Sequence, residues 1–340
     1  MSYANLLHHL PTPSSFWSLR DTQGMEHQVL AALGFSVSVL LVLFITMANA
    51  LLLKALWWKR RRSFTAAALV SMGCADMAQC IFAMPLVSFI SLHVTMPFEA
   101  CLMVVCGVVA WSLVSSFHHL LIAIHRWYAV AFPTRYQSMF TFRCATLQFA
   151  SCWSFGVAIA TIPLSGYNNL TILRAPPNGN TSSSSAMDTC SESGACCVSC
   201  SLEITLKLEY IVYVLFYLCV LMPLLITSTF YVMIFKKVKD TIGGRDAARS
   251  NESFYLKQKS MAKTMVLQVA LVAITRLPFY LLNMLKFYCP WCSIPSWVLL
   301  VATVFVVLSA SCNPFIYIFR DRKLQSALSN TLVRNRVDTA

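Results

Sequence analysis

The sequence predicts an all-α membrane protein, a bundle of seven transmembrane helices followed by a short helix that lies in the membrane interface. Two observations support this class. Of the 340 residues, 58% are hydrophobic and 11% are charged, whereas about 25% of the residues in soluble globular domains are charged. The apolar residues form long segments separated by short basic runs, which is the pattern of a chain that crosses a bilayer several times.

Seven segments approach the roughly 20 apolar residues that span a bilayer. We expect helices at about 30–57, 65–91, 101–132, 144–164, 210–236, 260–288 and 295–318. Residues 319–332 then alternate apolar and basic side chains, which is typical of a helix in the interface plane. A solvated tail is the alternative interpretation of this last stretch.

The basic runs predict the orientation. Lys59-Arg60-Arg61-Arg62 follows the first segment and Lys236-Lys237-Val238-Lys239 follows the fifth. Loops rich in Lys and Arg stay cytoplasmic, so we expect residues 1–29 outside, a transmembrane domain at 30–318 and a cytoplasmic tail at 319–340. The plasma membrane is the expected location. Because the basic residues set orientation, the net charge of +13 does not indicate nucleic-acid binding.

The second outer loop, around residues 165–205, carries two sequons. They are Asn169-Leu170-Thr171 and Asn180-Thr181-Ser182, and we expect glycosylation at both asparagines. A third sequon begins at Asn251 but falls on the predicted cytoplasmic side, so it should stay unmodified.

Cysteines on the outer face are expected to form disulfides, because that environment is oxidising. Cys101 opens the third helix and should bridge to a cysteine cluster in the second outer loop, with the partner left open. The cluster consists of Cys190, Cys196, Cys197 and Cys200. Cys289 and Cys292 can close a small loop of their own. A zinc site is the competing interpretation of the cluster, which the oxidising side disfavours, and we expect no structural metal.

Two ionisable groups stand out inside the membrane. Asp76 lies mid-span in the second helix, where a carboxylate needs a cation or a proton. Asn49, Ser115 and Asn313 could share its site; alternatively, a neutral Asp76 only joins the helices by hydrogen bonds. Arg126 ends the third helix, where its simplest role would be to reach anionic lipid headgroups.

The cluster Asn313-Pro314-Phe315-Ile316-Tyr317 in the last span is also polar and helix-breaking. Proline removes a backbone donor and kinks a helix, and the polar side chains need partners that lipid lacks. We therefore expect the cluster to face the bundle interior or a water-filled cavity.

In chain order, these residues resemble the markers of rhodopsin-like G-protein-coupled receptors. The set comprises Asn49, Asp76, Cys101, Arg126, Trp153, Pro223 with Tyr231, Pro278 and the Asn313–Tyr317 cluster. The resemblance implies that Arg126, Tyr231 and Tyr317 line a cavity that opens toward a heterotrimeric G protein, with His125, Asn313 and Pro314 in the same switch. It also implies a Cys101–Cys200 bridge and an allosteric sodium site at Asp76, Ser115 and Asn313.

Several loop and helix-end segments resemble the adenosine receptors more specifically. They are Pro133–Met139, Gly166–Leu170, Cys219–Leu225, Leu277–Asn283 and Cys289–Cys292. The resemblance implies that Asn283 hydrogen-bonds an adenine ring, that Glu203 lies beside it, and that Ser112 stands near the ribose.

Departures from that subfamily fall on the predicted ligand pocket. Leu202 replaces a stacking Phe, and Val306-Val307 replaces the Ser-His pair that holds the ribose hydroxyls. Ribose left unpaired in a dry pocket would lose several kcal/mol. We therefore expect a more apolar ligand, nucleoside-like or lipid-like, to contact Val306, Val307 and Leu202 together with Phe279 and Tyr280.

Other departures fall on the switch. His125 stands where the family has an acid, and Gln258 stands where many members have a glutamate. Arg276 replaces a tryptophan in mid-membrane and must find a carboxylate or several carbonyls. It could pair with Asp76 and weaken or replace sodium, bind an anionic ligand from the pocket floor, or be satisfied by backbone carbonyls.

The sequence thus predicts a receptor that passes an extracellular small-molecule signal to a G protein by population shift, not an enzyme. The alternative is a divergent receptor with constitutive signalling, or one for a lipid or anionic ligand. A transporter is less favoured because internal repeats and charged paths are absent from the sequence. No lysine lies in 295–318 for a retinal Schiff base.

Overall fold

The computed structural model describes residues 13–57, 63–91, 95–139, 141–174, 189–190, 196–243 and 252–320. The predicted interfacial helix lies almost wholly outside these residues, and so do the sequon asparagines Asn180 and Asn251. The side chain of Tyr317 is likewise not described.

Ten α-helices and one π-helix make up most of the described chain. They are α1 Pro13–Leu56, α2 Phe64–Ser91, α3 Phe98–Ala131, α4 Pro133–Met139, α5 Phe142–Thr161, α6 Leu170–Leu173, α7 Leu202–Thr205, a π-helix at Tyr210–Leu221, α8 Met222–Gly243, α9 Glu252–Tyr288 and α10 Ser296–Arg320. Six apolar stretches in the described residues are long enough to cross a membrane, and α10 adds a shorter one at Trp297–Ala310. The predicted seven-helix membrane class is confirmed.

Several helices extend beyond the predicted boundaries. Helix α1 begins at Pro13 instead of residue 30, although its apolar span is only Phe35–Leu56. Helix α8 continues to Gly243 and α9 begins at Glu252. Hydropathy marks only the part of a helix inside the bilayer, and polar turns without proline continue it into water.

The fifth span departs from regular α geometry. Its first twelve residues, Tyr210–Leu221, form a π-helix, and the N–H of Met222 donates to the carbonyl of Tyr217, five residues back. Pro223 follows at once and has no N–H to donate, so the α-helical ladder is interrupted at this point in any case. Longer π-helices are rare and often occur at functional sites.

A three-stranded antiparallel sheet covers one end of the bundle. The strands are β1 Thr95–Pro97, β2 Thr189–Cys190 and β3 Cys196–Ser199, in the order β1-β3-β2. Cys101 in α3 and Cys200, next to β3, form a disulfide with a Cα–Cα distance of 5.5 Å. The sheet and this bridge hold the loop over the start of α3. We call this end of the bundle the disulfide end and the opposite one the Arg126 end.

Two apolar clusters form the core, with polar residues between them along α3. Buried members of the first include Phe98 and Leu113, and those of the second begin on α3 at Ile122. The buried polar side chains Ser115, His118 and His119 lie in this interval. Lipid offers such groups no partners, and His118 finds its own inside the bundle, with Nδ1 2.7 Å from the carbonyl oxygen of Val114 and Nε2 2.9 Å from Ser71 Oγ.

Candidate functional site

The polar centre joins α2, α9 and α10. Asn313 donates from Nδ2 to Asp76 Oδ2 at 2.5 Å, and Gln268 donates to Asn313 Oδ1. Asn49 adds α1 by donating to the carbonyl of Ala310 at 3.3 Å. Asp76, Asn313 and Asn49 are all fully or almost fully buried. The structure therefore brings together three of the polar residues that the sequence singled out.

Buried oxygens around this centre have acceptor capacity to spare. Among the residues that the structure describes, Asp76 Oδ1 and Asn49 Oδ1 accept no hydrogen bond, and Ser115 Oγ lies beside the Asp76 carboxyl without a hydrogen bond of regular geometry. Buried oxygens of this kind need a proton donor, a water molecule or a hard cation. The residues present thus fit the sodium site that the family resemblance implies.

Arg276 is satisfied by oxygens of α3 and α10. Its Nε donates to Ser309 Oγ at 3.1 Å, and its Nη1 donates to the carbonyl of Ser112 at 3.1 Å and also to Ser116 Oγ. The side chain is 2% exposed. One of these three acceptors is a backbone carbonyl, as in the alternative in which carbonyls satisfy the arginine, and the other two are serine hydroxyls, which the sequence analysis did not predict.

The hydrogen bonds described for Arg276 and Asp76 go to other groups, whereas the charge of Arg276 acts on the Asp76 carboxyl electrostatically, so the predicted charge pair stays a prediction. Asp76 accepts from Asn313, while the guanidinium reaches α3 and α10. The sequence predicts similar depths for the two charges, but it does not predict the direction in which each helix turns its side chain. The small hydroxyls of Ser116 and Ser309 leave room for the guanidinium to stay at α3.

A cavity near the disulfide end gathers six of the predicted ligand residues. Its lining includes Ser112, Leu202, Phe279, Tyr280, Val306 and Val307. Its volume is only about 20 Å³, which is room for about one water molecule. A nucleoside does not fit this conformation of the pocket, and the lining is mainly apolar, as the sequence predicted.

The other three predicted ligand residues do not line this cavity. Arg276 lies deeper, and Asn283 is fully buried, donating from Nδ2 to the carbonyl of Phe279 at 2.9 Å. Glu203 forms an ion pair with Lys286 of α9. Ser201 caps α7 by accepting from the N–H of Ile204 at 3.2 Å, and this cap helps to place Glu203.

Lys286 was missed by the sequence analysis. Its position three residues after Asn283 places both on one face of α9, and that spacing could have indicated it. Both partners of the Lys286–Glu203 pair are partly exposed, and such pairs contribute at most about 1 kcal/mol. The pair therefore fastens the loop to α9 without contributing much stability.

At the Arg126 end, a much larger cavity of about 720 Å³ opens between α2, α3, α4 and α9. Arg126 lines it and donates to Gln258 Oε1 at 3.3 Å and to Thr65 Oγ1. Both acceptors are neutral. Tyr136 also lines the cavity, and burial raises the pKa of its phenol.

His125 and Tyr231 pack beside this cavity. The ring of His125 stacks on Phe64 with centroids 3.3 Å apart, and its Nε2 lies 2.6 Å from Gln148 Oε1. Tyr231 is buried in the same apolar cluster as Ile122. Pro314 lies inside α10, one residue after Asn313. The switch residues predicted from the sequence, apart from Tyr317, thus lie in the interior of one bundle.

Both predicted disulfides, Cys101–Cys200 and Cys289–Cys292, are present. Cys196 is also disulfide-bonded, and Cys197 is a free, exposed cysteine. The cluster therefore does not offer zinc a set of thiolates. Among the residues that the structure describes, no group of three or more His, Cys, Asp or Glu side chains could hold a metal ion.

The structure argues against the predicted glycan on Asn169. Its Nδ2 donates to the carbonyls of Glu203 at 3.1 Å and Leu206 at 2.9 Å. A glycan would replace one of the two amide hydrogens and break one of these bonds. The sequon identifies Asn169 as a possible glycan attachment site. It does not show that the side-chain amide already joins two parts of the loop by hydrogen bonds.

The sequence of residues 48–317 matches the family of seven-transmembrane receptors of the rhodopsin type. The chain belongs to this family. Adenosine receptor A2a from Homo sapiens is 30% identical over 319 residues, which cover 92% of this chain and 74% of the relative. Adenosine receptor A2b from Bos taurus is 28% identical over 268 residues, covering 78% and 79%.

Membership confirms the predicted class of function. The protein is a G-protein-coupled receptor, a signalling protein with several membrane spans, and the family as a whole responds to small molecules and couples to G proteins. The similarity extends over most of the chain, which confirms the adenosine-receptor-like resemblance.

Proposed function

We propose that this receptor signals to a heterotrimeric G protein largely without a bound ligand, and that adenosine is a weak agonist at best. The observation that supports this most is a pair of hydrogen bonds that Arg126 donates at its end of the bundle. Gln258 and Thr65 are neutral acceptors, and hydrogen bonds between two ionised groups are stronger than those with a neutral partner. A weaker restraint on Arg126 leaves more of the population in the signalling state.

The two cavities support the same proposal. The one around Arg126 has a volume of about 720 Å³, and the ligand pocket about 20 Å³. A protein partner could insert into the cavity at the Arg126 end as it stands, whereas a nucleoside could enter the ligand pocket only after that pocket had opened. If only a small fraction of the receptor has an open pocket, the apparent affinity for a nucleoside is reduced by that fraction.

A second candidate is a receptor for a small apolar ligand, nucleoside-like or lipid-like. The apolar side chains of Val306, Val307 and Leu202 in the pocket lining favour it. Such a ligand needs few hydrogen bonds and loses little on leaving water. An anionic ligand on the pocket floor is not favoured, because Arg276 lines a deeper cavity.

We also propose an orientation of the receptor in the membrane. The disulfide end would face outward, where thiols oxidise, and the Arg126 end would face the cytoplasm with the basic runs. The residues before the first apolar span would then lie outside, and 319–340 would form the cytoplasmic helix and tail. Membrane lipids would surround the spans, and no nucleic-acid partner is proposed.

A second-messenger assay in expressing cells tests the proposal. Basal signal is measured first at known surface expression, and then with adenosine and with a series of nucleosides of decreasing polarity. We expect a basal signal above that of mock-transfected cells and little response to adenosine. A low basal signal that adenosine raises fully would overturn the proposal, and a response confined to the apolar nucleosides would support the second candidate.

A further inference from the structure

A membrane-facing groove runs between α3, α5 and the π-helix. Its volume is about 400 Å³, and its walls include Leu120 of α3, Phe155 of α5 and Leu218 of the π-helix. All three elements belong to membrane spans, so the groove opens onto bilayer hydrocarbon. We infer that it is a binding site for the acyl chain of a membrane lipid, distinct from the ligand pocket near the disulfide end.

The chemistry of the lining favours a hydrocarbon chain over a polar lipid head. Among the described residues that line the groove there is no Asp, Glu, Lys, Arg or His. Its hydroxyl belongs to Ser151, which already donates to the carbonyl of Gln148 at 2.8 Å. A phosphate or a carboxylate would therefore lack a charged or donating partner, and leaving such a group unpaired is unfavourable.

The shape of the groove also suits an extended chain. Its lining runs along α3 from Phe117 to Ile124 and along α5 from Ser151 to Ile159. At 1.5 Å per residue these stretches are about 10 to 12 Å long. A trough of this length and an apolar lining match several consecutive methylene groups lying side-on.

The groove differs from the face of a single helix because its lining comes from α3, α5 and the π-helix. Lipid tails are as apolar as leucine, so the hydrophobic effect does not hold a chain against a helix in the bilayer. Dispersion contacts do, and their number rises when walls from α3, α5 and the π-helix all reach the same chain. A convex face of one helix offers contacts on one side only.

The site also adjoins the interior around Arg276. Cys219 lines the groove, and its neighbour Val220 lines a small cavity of about 40 Å³ that also contains Pro223 and Arg276. The π-helix thus separates the acyl chain from the Arg276 region by the thickness of one helix. A bound chain would support this irregular stretch from its lipid side.

Photolabelling of the whole receptor tests the inference. The receptor is reconstituted in nanodiscs of phosphatidylcholine in which a small fraction carries a diazirine on one acyl chain, and adducts are mapped by mass spectrometry. Leu218 in the groove is 57% exposed and Leu225 on α8 is 54% exposed, so the two leucines are matched. We expect several-fold more adducts at Leu218 than at Leu225.

Groove-filling variants complete the test. Leu218→Trp should abolish the excess labelling of the remaining groove residues, whereas Leu225→Trp should leave it unchanged. Phe155→Trp serves as a second filling variant, since Phe155 is also strongly exposed to lipid. Equal labelling at Leu218 and Leu225 would show that only non-specific annular lipid is present, and excess labelling that survives both filling variants would show that the groove does not hold the chain. Either result would overturn the inference.

Discussion

The guanidinium of Arg276 on α9 donates to the backbone carbonyl of Ser112 on α3 at 3.1 Å. This contact joins the two helices at the depth where the ligand cavity begins, since Ser112 also lines that cavity. A permanently charged group thus ties the floor of the pocket to α9 in the middle of the membrane. Its consequences for stability and for ion sensitivity can be measured separately.

Arg276→Lys should destabilise the receptor. An ammonium is a compact point charge without the planar fork of a guanidinium, so it cannot reach Ser112, Ser116 and Ser309 together. Each lost hydrogen bond to a charged group contributes about 1.5 to 3 kcal/mol. Thermal unfolding in detergent measures the effect, with Arg143→Lys at an exposed position as the control. Equal midpoints for Arg276→Lys and Arg143→Lys would contradict this role.

Sodium should affect the wild-type receptor weakly. The oxygens of Asp76, Ser115 and Asn49 fit a cation, but the fixed positive charge of Arg276 is buried in the same bundle and opposes one. Arg276→Met should therefore make basal signalling fall when sodium replaces choline in the medium. An unchanged response in Arg276→Met, or a strong sodium effect in the wild type, would show that Arg276 does not control the ion site.

Gln258→Glu should lower basal signalling. The carboxylate would replace the neutral Oε1 that accepts from Arg126 at 3.3 Å and would add an ionic restraint. A shift of about 1 to 2 kcal/mol changes the ratio of the two states roughly 5- to 30-fold. Gln258→Asn keeps the group neutral and is the matched control. If the Glu and Asn variants signal alike, the charge of this contact has no part in the switch.

Glycosylation should occur at Asn180 and not at Asn169. Asn180→Gln should remove the mobility shift that glycosidase treatment reveals on a gel. Asn169→Gln should leave that shift intact but reduce surface expression, because the Asn169 amide holds the carbonyls of Glu203 and Leu206. A second mobility shift that disappears only in Asn169→Gln would contradict the structural role of this side chain.

Properties that depend on local chain composition could be predicted from the sequence. The long apolar segments predicted the seven helices. The cysteines on the oxidising side of the membrane predicted the Cys289–Cys292 bridge and a bridge from Cys101. The pairing of Cys101 with Cys200 needed the family resemblance, because several loop cysteines compete for it. Apolar replacements such as Val306 and Val307 likewise indicated an apolar pocket.

Properties that depend on helix rotation and loop packing could not be predicted from the sequence. Depth along a helix placed Arg276 near Asp76, but rotation decides that it bonds to Ser112. The sequon at Asn169 did not show that its amide is used inside the loop, and the Lys286–Glu203 pair joins residues far apart in the chain. The π-helix before Pro223 is also a property of packing, because its residues read as an ordinary apolar helix.

The central claim is that this receptor signals to its G protein without an agonist. Basal second-messenger signal, compared between wild type and Arg126→Ala at equal surface expression and without added nucleoside, tests it most directly. We predict a wild-type signal several-fold above that of mock-transfected cells and an Arg126→Ala signal equal to that of the mock. A wild-type signal no higher than that of Arg126→Ala would contradict the account.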